Sequence, residues 1–139
     1  MPFPGPGIYR GMLEENGLPK VGNSPKELGV RVPPDPNPDI QPDAAGNVHP
    51  PTLLSSRGMS CAPRVQDLPF HRRPAHWSGT QSQMDFQVWQ IAEGDLGSDL
   101  MAFRDSARHI TIGPARTLTL DQFRAALAGT QSKWTLVIP

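Results

Sequence analysis

Seven prolines crowd residues 33–51, at positions 33, 34, 36, 38, 42, 50 and 51, set among Asp, Asn and Gly. Proline removes a backbone donor and fixes φ, so neither a helix nor a central strand survives such density. What remains is an irregular or polyproline connection, which in a small chain is a lid, a recognition segment or a mobile link. The whole chain repeats the theme, with 17 Pro and 13 Gly in 139 residues. Short strands, long irregular loops and little helix follow from that composition.

The rest of the sequence still supports one core. A hydrophobic share of 37% with three Trp and a length near that of one domain predict a single domain over 1–139. In Phe86-Gln87-Val88-Trp89-Gln90-Ile91 both alternating faces are substantially apolar, which predicts a central strand. Segments 100–104 and 108–112 predict a hairpin across Asp105-Ser106-Ala107. One helix is predicted over 120–128, with Thr119 and Gln122 as a capping box, Leu120, Phe123, Ala126 and Leu127 as its apolar stripe, and Gly129 as its stop. Ser24-Pro25-Lys26-Glu27-Leu28-Gly29 predicts one helical turn, 30–32 a short extended piece, and 134–138 a closing strand.

Two strand-like runs place a single polar group among small or apolar neighbours. In Gly58-Met59-Ser60-Cys61-Ala62 the alternation puts Gly58, Ser60 and Ala62 on one face, and Met59 and Cys61 on the other. That leaves a face of little bulk with one hydroxyl, against which a flat ring can lie. In Gly7-Ile8-Tyr9-Arg10-Gly11-Met12, Arg10 shares a face with Ile8 and Met12, which requires either an anion or an array of carbonyls beside it. Both runs also admit a plainer reading, in which an edge arginine snorkels to solvent and small residues let a neighbour come close.

Several classes of function are disfavoured. Basic and acidic residues balance at 13 each, so bulk charge draws the chain neither to nucleic acid nor to a membrane surface, and a nuclease is the weaker reading. The longest apolar runs, such as 135–138, are far too short to span a bilayer. Met1-Pro2-Phe3-Pro4-Gly5 has neither a basic head nor an apolar stretch, so the expectation is a cytoplasmic protein, or one exported by a route that needs no cleavable leader. The single Cys61 is expected as a core residue rather than a nucleophile. His71 and His76 lack metal-ligand spacing, so no metal is expected. His71-Arg72-Arg73 admits two readings, a phosphate site or a charged, solvated loop.

The order Ile8-Tyr9-Arg10, a proline-rich loop, Gly58-Met59-Ser60, the 86–91 strand, then His109-x-Thr111-x-x-Pro114 before a short helix resembles a known family. It is similar to the exported effector toxins of bacterial type VI secretion that have an ADP-ribosyltransferase-like fold. The resemblance implies an α+β fold of small mixed or antiparallel sheets with few short helices and long Pro-rich loops, and an NAD pocket between two of the sheets, with Tyr9, Arg10, Gly58, Met59 and Ser60 around the cofactor. Arg10 matches the arginine that contacts ribose and phosphate in such enzymes, and Ser60 the serine that steadies the nicotinamide ribose. These enzymes generally also use a glutamate that stabilises the oxocarbenium-like transition state. Here there is no Glu-x-Glu or Gln-x-Glu, and of Glu14, Glu15, Glu27 and Glu93 only Glu93 comes late enough. His109 is the alternative polar partner, though a histidine in a hairpin is more often a half-exposed structural residue than an acid or base.

The resemblance therefore implies a cytotoxic effector acting on NAD inside target cells, by ADP-ribosyl transfer to a macromolecule or by NAD glycohydrolysis. Arg10, Ser60, His109 and Glu93 are the expected catalytic set. A cognate immunity protein is the implied partner. The alternative is a noncatalytic binding or structural domain on the same scaffold, in which Arg10 and Ser60 satisfy backbone groups.

Overall fold

The computed structural model describes residues 5–55, 57–74 and 86–138. The fold is α+β, built from antiparallel sheets and, among the described residues, one α-helix. Strands β1 (Ile8–Glu15), β2 (Leu18–Pro19), β5 (Phe86–Ile91) and β9 (Thr135–Leu136) form a four-stranded sheet in the order β2-β1-β5-β9. Strands β4 (Met59–Cys61), β6 (Leu100–Ser106) and β7 (His109–Pro114) form a second sheet in the order β4-β7-β6. A small ladder pairs β3 (Asn47–Val48) with β8 (Leu118–Thr119).

The Phe86 strand is central, as its two apolar faces predict. It pairs with β1 from Ile8↔Ile91 to Leu13↔Phe86, and with β9 on its other edge. Both faces of this pairing are covered. Ile8, Met12, Trp89 and Ile91 enter the main core, while Tyr9 and Val88 pack with Ala62, Val65, Leu68 and Val137 on the opposite side.

The junction between the two larger sheets decides where the site falls. Tyr9 and Ala62 form an antiparallel bridge, with Tyr9 N–H donating to Ala62 O at 2.9 Å and Ala62 N–H to Tyr9 O at 2.8 Å. The first strand is thereby laced to the end of β4. One residue after Tyr9 and one before Ala62, Arg10 and Cys61 are brought to the same seam.

Local chemistry accounts for most of the remaining elements. Asn16 and Gly17 both adopt positive φ, 57° and 80°, which makes the two-residue turn between β1 and β2. Thr119 and Gln122 close the expected capping box at the start of α1 (Leu120–Gly129), which buries Phe123 and Leu127. The helix does not stop before Gly129. Its C-cap is Thr130, whose hydroxyl donates to Leu127 O at 2.7 Å and accepts from Trp134 Nε1 at 2.9 Å.

Other expectations are corrected. Residues 24–29 form a hydrogen-bonded turn, not a helical one. Ser24 Oγ binds Lys26 N–H at 3.2 Å and Glu27 Oε1 at 2.8 Å, and these side-chain bonds replace continued helix. Residues 30–32 form no strand. The 33–51 loop is irregular but anchored: Asp39 pairs with Arg31 at 2.7 Å, its carbonyl accepts from Gly58 N–H at 3.0 Å, and β3 lies inside the loop. The hairpin turn falls at Ala107 and Arg108, because β6 runs on through Asp105 to Ser106. The closing strand is only Thr135–Leu136.

Candidate functional site

A cavity of about 320 Å³ opens at the seam between β1, β4, the 63–74 segment and the β6–β7 turn. Arg10, Ser60 and His109 all line it. Tyr9, Gly58, Met59 and Glu93 do not. Tyr9 is fully buried on the far face of β1, and its hydroxyl donates to Gly5 O at 2.6 Å. Met59 lies in the main core. Gly58 is packed under β7, where a Cβ would collide with the Ile112 carbonyl oxygen. Glu93 is exposed and pairs with Arg104 at 3.3 Å. His76, weighed in sequence as a metal ligand, lies outside the described residues.

Arg10 meets an array of carbonyls. Nε donates to Glu27 O at 3.3 Å, Nη1 to Ser60 O, and Nη2 to Glu27 O at 2.9 Å and Pro25 O at 3.3 Å, with Ser24 O and Gly29 O at 3.5 Å. The guanidinium thus fastens the 24–29 turn to β4 and forms part of the cavity wall. Burial pushes its pKa down, and the carbonyl dipoles replace the lost water.

Ser60 faces outward from β4, opposite Thr111, while Met59 and Cys61 point into the core. This is the alternation that the sequence predicts. Cys61 is buried, and burial pushes its thiol up to about 12 despite the neighbouring Arg10 cation. A thiol so raised is no nucleophile at neutral pH.

His109 is held by a residue that the sequence reading passed over. Register places Phe103 opposite Thr111 and Ser106 opposite His109, so Arg104 and Asp105 together face Ile110 in a bulge. The bulge turns the Asp105 carboxylate toward β7, where Oδ1 meets His109 Nδ1 at 2.7 Å and Oδ2 accepts from Thr111 Oγ1 at 2.9 Å. A carboxylate only accepts, so Nδ1 is the protonated ring nitrogen of neutral His109, leaving Nε2 as the acceptor.

The 63–74 segment supplies further lining residues. Its 3₁₀ turns Val65–Asp67 and Phe70–Arg72 bring Asp67, His71 and Arg72 to the cavity. The solvated-loop reading fails for both arginines. Arg72 stacks on Phe86, 5.4 Å from the ring centroid, and Arg73 Nη2 caps Gln66 O at 2.7 Å and Leu68 O at 2.9 Å. Asp67 is the one acidic residue lining the cavity among the described residues. Its approach depends on a proline-rich turn packed across two sheets, which no local pattern announces.

A family model described as Tse2 ADP-ribosyltransferase toxin matches residues 7–136. The chain belongs to the Tse2 ADP-ribosyltransferase toxin family. Among curated proteins and solved structures nothing matches. The toxin has no helix long and apolar enough to cross a membrane among its described residues, and no cluster there able to hold a metal.

ADP-ribosyltransferases use NAD, and the toxin's cavity fits part of such a molecule. Its volume is at the small end of the roughly 300–1,000 Å³ typical of ligand pockets. Ala62, Leu68 and Pro69 give it apolar surface, Ser60 a hydroxyl, and Arg72 and Arg108 positive charge. Arg72 Nη1 is buried and has no hydrogen-bond partner among the described residues, so an anion there would satisfy it.

Proposed function

We propose that this cavity is where the toxin breaks the N-glycosidic bond of NAD, passing ADP-ribose to a macromolecule or to water. The observation that supports this is convergence. Three residues chosen from separate stretches, Arg10, Ser60 and His109, line one hollow beside a bulge-held carboxylate. Bound NAD supplies its own leaving group, since nicotinamide departs neutral when the bond to ribose breaks.

The chain's residues then have separable tasks. Ser60 offers a hydroxyl that can hold the sugar in one orientation. Asp67 supplies the negative charge that positive charge developing on the sugar requires, the role a glutamate has in related enzymes. His109, fixed through Nδ1 by Asp105, takes at Nε2 the proton lost by the attacking hydroxyl. Arg10 keeps the wall in place. Delivery to the cytoplasm of a target cell by type VI secretion, and a cognate immunity protein that covers the cavity in the producer, complete the reading. Both come from the resemblance.

One observation favours the noncatalytic alternative for Arg10 itself: its five carbonyl partners are those of a structural arginine. Expression in a bacterium, with growth and cellular NAD as readouts, tests the proposal. The wild type should deplete NAD and arrest growth, whereas Ser60→Ala and His109→Ala should do neither while melting like the wild type. Growth arrest without NAD loss or ADP-ribosylated product would overturn it.

A further inference from the structure

The anionic part of an NAD-like substrate needs a cationic side chain on the cavity wall. The β1 arginine is the obvious choice by resemblance, but its guanidinium is spent on carbonyls. Nη1 binds Ser60 O, and Nε and Nη2 serve the 24–29 turn. Arg72, on the same cavity, has the opposite situation. Its Nη1 is buried, yet it has no hydrogen-bond partner among the described residues.

A half-buried guanidinium with one nitrogen cut off from water and no counter-charge among the described residues is costly. Burial pushes the Arg72 pKa down, Arg31 adds repulsion, and no carboxylate among the described residues offsets either. Two features nonetheless hold the group where it is. Its guanidinium lies over the Phe86 ring, a cation–π contact that fixes the plane of the fork. Its backbone lies against β1 at Gly11, where a Cβ would run into the Arg72 carbonyl oxygen and come within 2.9 Å of its own Cβ. Position 11 must be glycine for the 70–72 turn to seat so closely.

Its surroundings on the cavity are mainly cationic or neutral. Arg108, His71 and His109 line the same hollow, against Asp67 as the sole acid among the described residues. A planar fork with an unused N–H, in a cationic pocket beside apolar surface, matches a phosphate attached to a flat-ringed nucleoside.

We propose that Arg72, and not Arg10, binds the diphosphate of the nucleotide substrate, with Gly11 and Phe86 as the residues that seat it. The proposal rests on the NAD reading above but makes a separate claim about binding. It moves the anion site from the first strand to the 3₁₀ turn that crosses over it.

Calorimetric titration of the purified protein with ADP-ribose, inorganic pyrophosphate and nicotinamide riboside tests it. On the unaltered protein, pyrophosphate should compete with ADP-ribose, and ADP-ribose affinity should fall as salt rises. Arg72→Gln and Arg72→Ala should weaken ADP-ribose binding by roughly 10- to 100-fold and leave the phosphate-free riboside unchanged. Arg72→Lys should recover only part of the loss, since an ammonium lacks the fork. Absence of pyrophosphate competition on the wild type overturns the proposal without any variant having to fold. So does a folded Arg72→Gln that binds ADP-ribose like the wild type; NAD consumption persisting in that variant would leave the parent reading intact. A wild type that binds none of the three ligands would overturn both.

Discussion

The Asp105 carboxylate receives His109 Nδ1 at 2.7 Å across the β6–β7 hairpin, and it does so from a bulge that also brings Thr111 Oγ1 to within 2.9 Å of its second oxygen. A flat ladder would have left His109 opposite a strand residue with no reach to its ring. The extra residue in β6 re-aims Asp105 instead, and a half-exposed imidazole acquires one tautomer and one orientation. This relationship is what the proposed role of His109 as a base requires.

If His109 takes the proton of the attacking group, His109→Ala should lower NAD turnover by about 10²- to 10⁴-fold. Asp105→Asn should produce a smaller loss with unchanged nucleotide binding, because an amide can face His109 with its NH₂ and favour the wrong tautomer. Steady-state NAD consumption and ligand titration on the same preparations separate the two effects. Equal turnover in all three proteins would remove His109 from the chemistry.

Arg10 is a structural tie before it is anything else. Arg10→Ala leaves the carbonyls of Glu27, Pro25 and Ser60 without their donor, and destabilisation of about 2–4 kcal/mol is expected. Arg10→Lys should recover little, since three donors on one atom cannot span acceptors on two segments. Urea unfolding measures the loss. Wild-type stability in Arg10→Ala, combined with loss of NAD consumption, would reverse the assignment and return Arg10 to the substrate.

Gly11 should tolerate no side chain. A Cβ there meets the Arg72 carbonyl oxygen, a backbone atom that cannot rotate away. Gly11→Ala should therefore destabilise the fold by about 1–3 kcal/mol and shift the 70–72 turn. Amide hydrogen exchange should show faster exchange at Arg72, whose N–H donates to Pro69 O at 2.9 Å in the intact turn. Unchanged protection in a variant of normal stability would mean the turn can seat elsewhere.

What could be read from the sequence was whatever depends on periodicity and local hydrogen bonding. The Phe86 strand, the Thr119–Gln122 box and the outward hydroxyl of Ser60 all follow from neighbours within a few residues. Arg10 was legible as an anomaly, and a carbonyl array was one of its two solutions. Asp105 and Asp67 were not legible as site residues, and Arg72 was legible only within a His71-Arg72-Arg73 cluster that read equally as a solvated loop. Asp105 depends on a bulge that shifts register by one residue, and the strand pattern around it reads equally well as a turn. Asp67 and Arg72 lie in a proline-rich stretch whose path is fixed by distant contacts, such as Gly11 beneath Arg72 and the Tyr9–Ala62 bridge. Glu93 looked suitable by its place in the sequence, but its Arg104 partner lies on β6, away from the cavity lining.

Cys61 gives the fold a defined alkaline weakness. Its thiol is buried between the sheets and its pKa rises from an ordinary 9.0 to about 12, through loss of water and against the pull of Arg10. Below the unfolded value both states keep the proton, and the thiol contributes no pH dependence. Between that value and about 12 the unfolded chain releases the proton while the folded one retains it. The unfolded state then binds fewer protons, and stability falls as pH rises. The slope approaches about 1.4 kcal/mol per pH unit, which amounts to about 4 kcal/mol across the window. The buried Tyr9 phenol, also raised by burial, adds to the loss at the upper end, so the thiol must be isolated by difference. The advantage in urea midpoint of the wild type over Cys61→Ala should hold up to about pH 9 and then shrink steadily as the pH is taken to 11. A constant difference across that range would mean that the thiol ionises in the folded protein as readily as in the unfolded chain, and that the seam beneath the cavity is open to water.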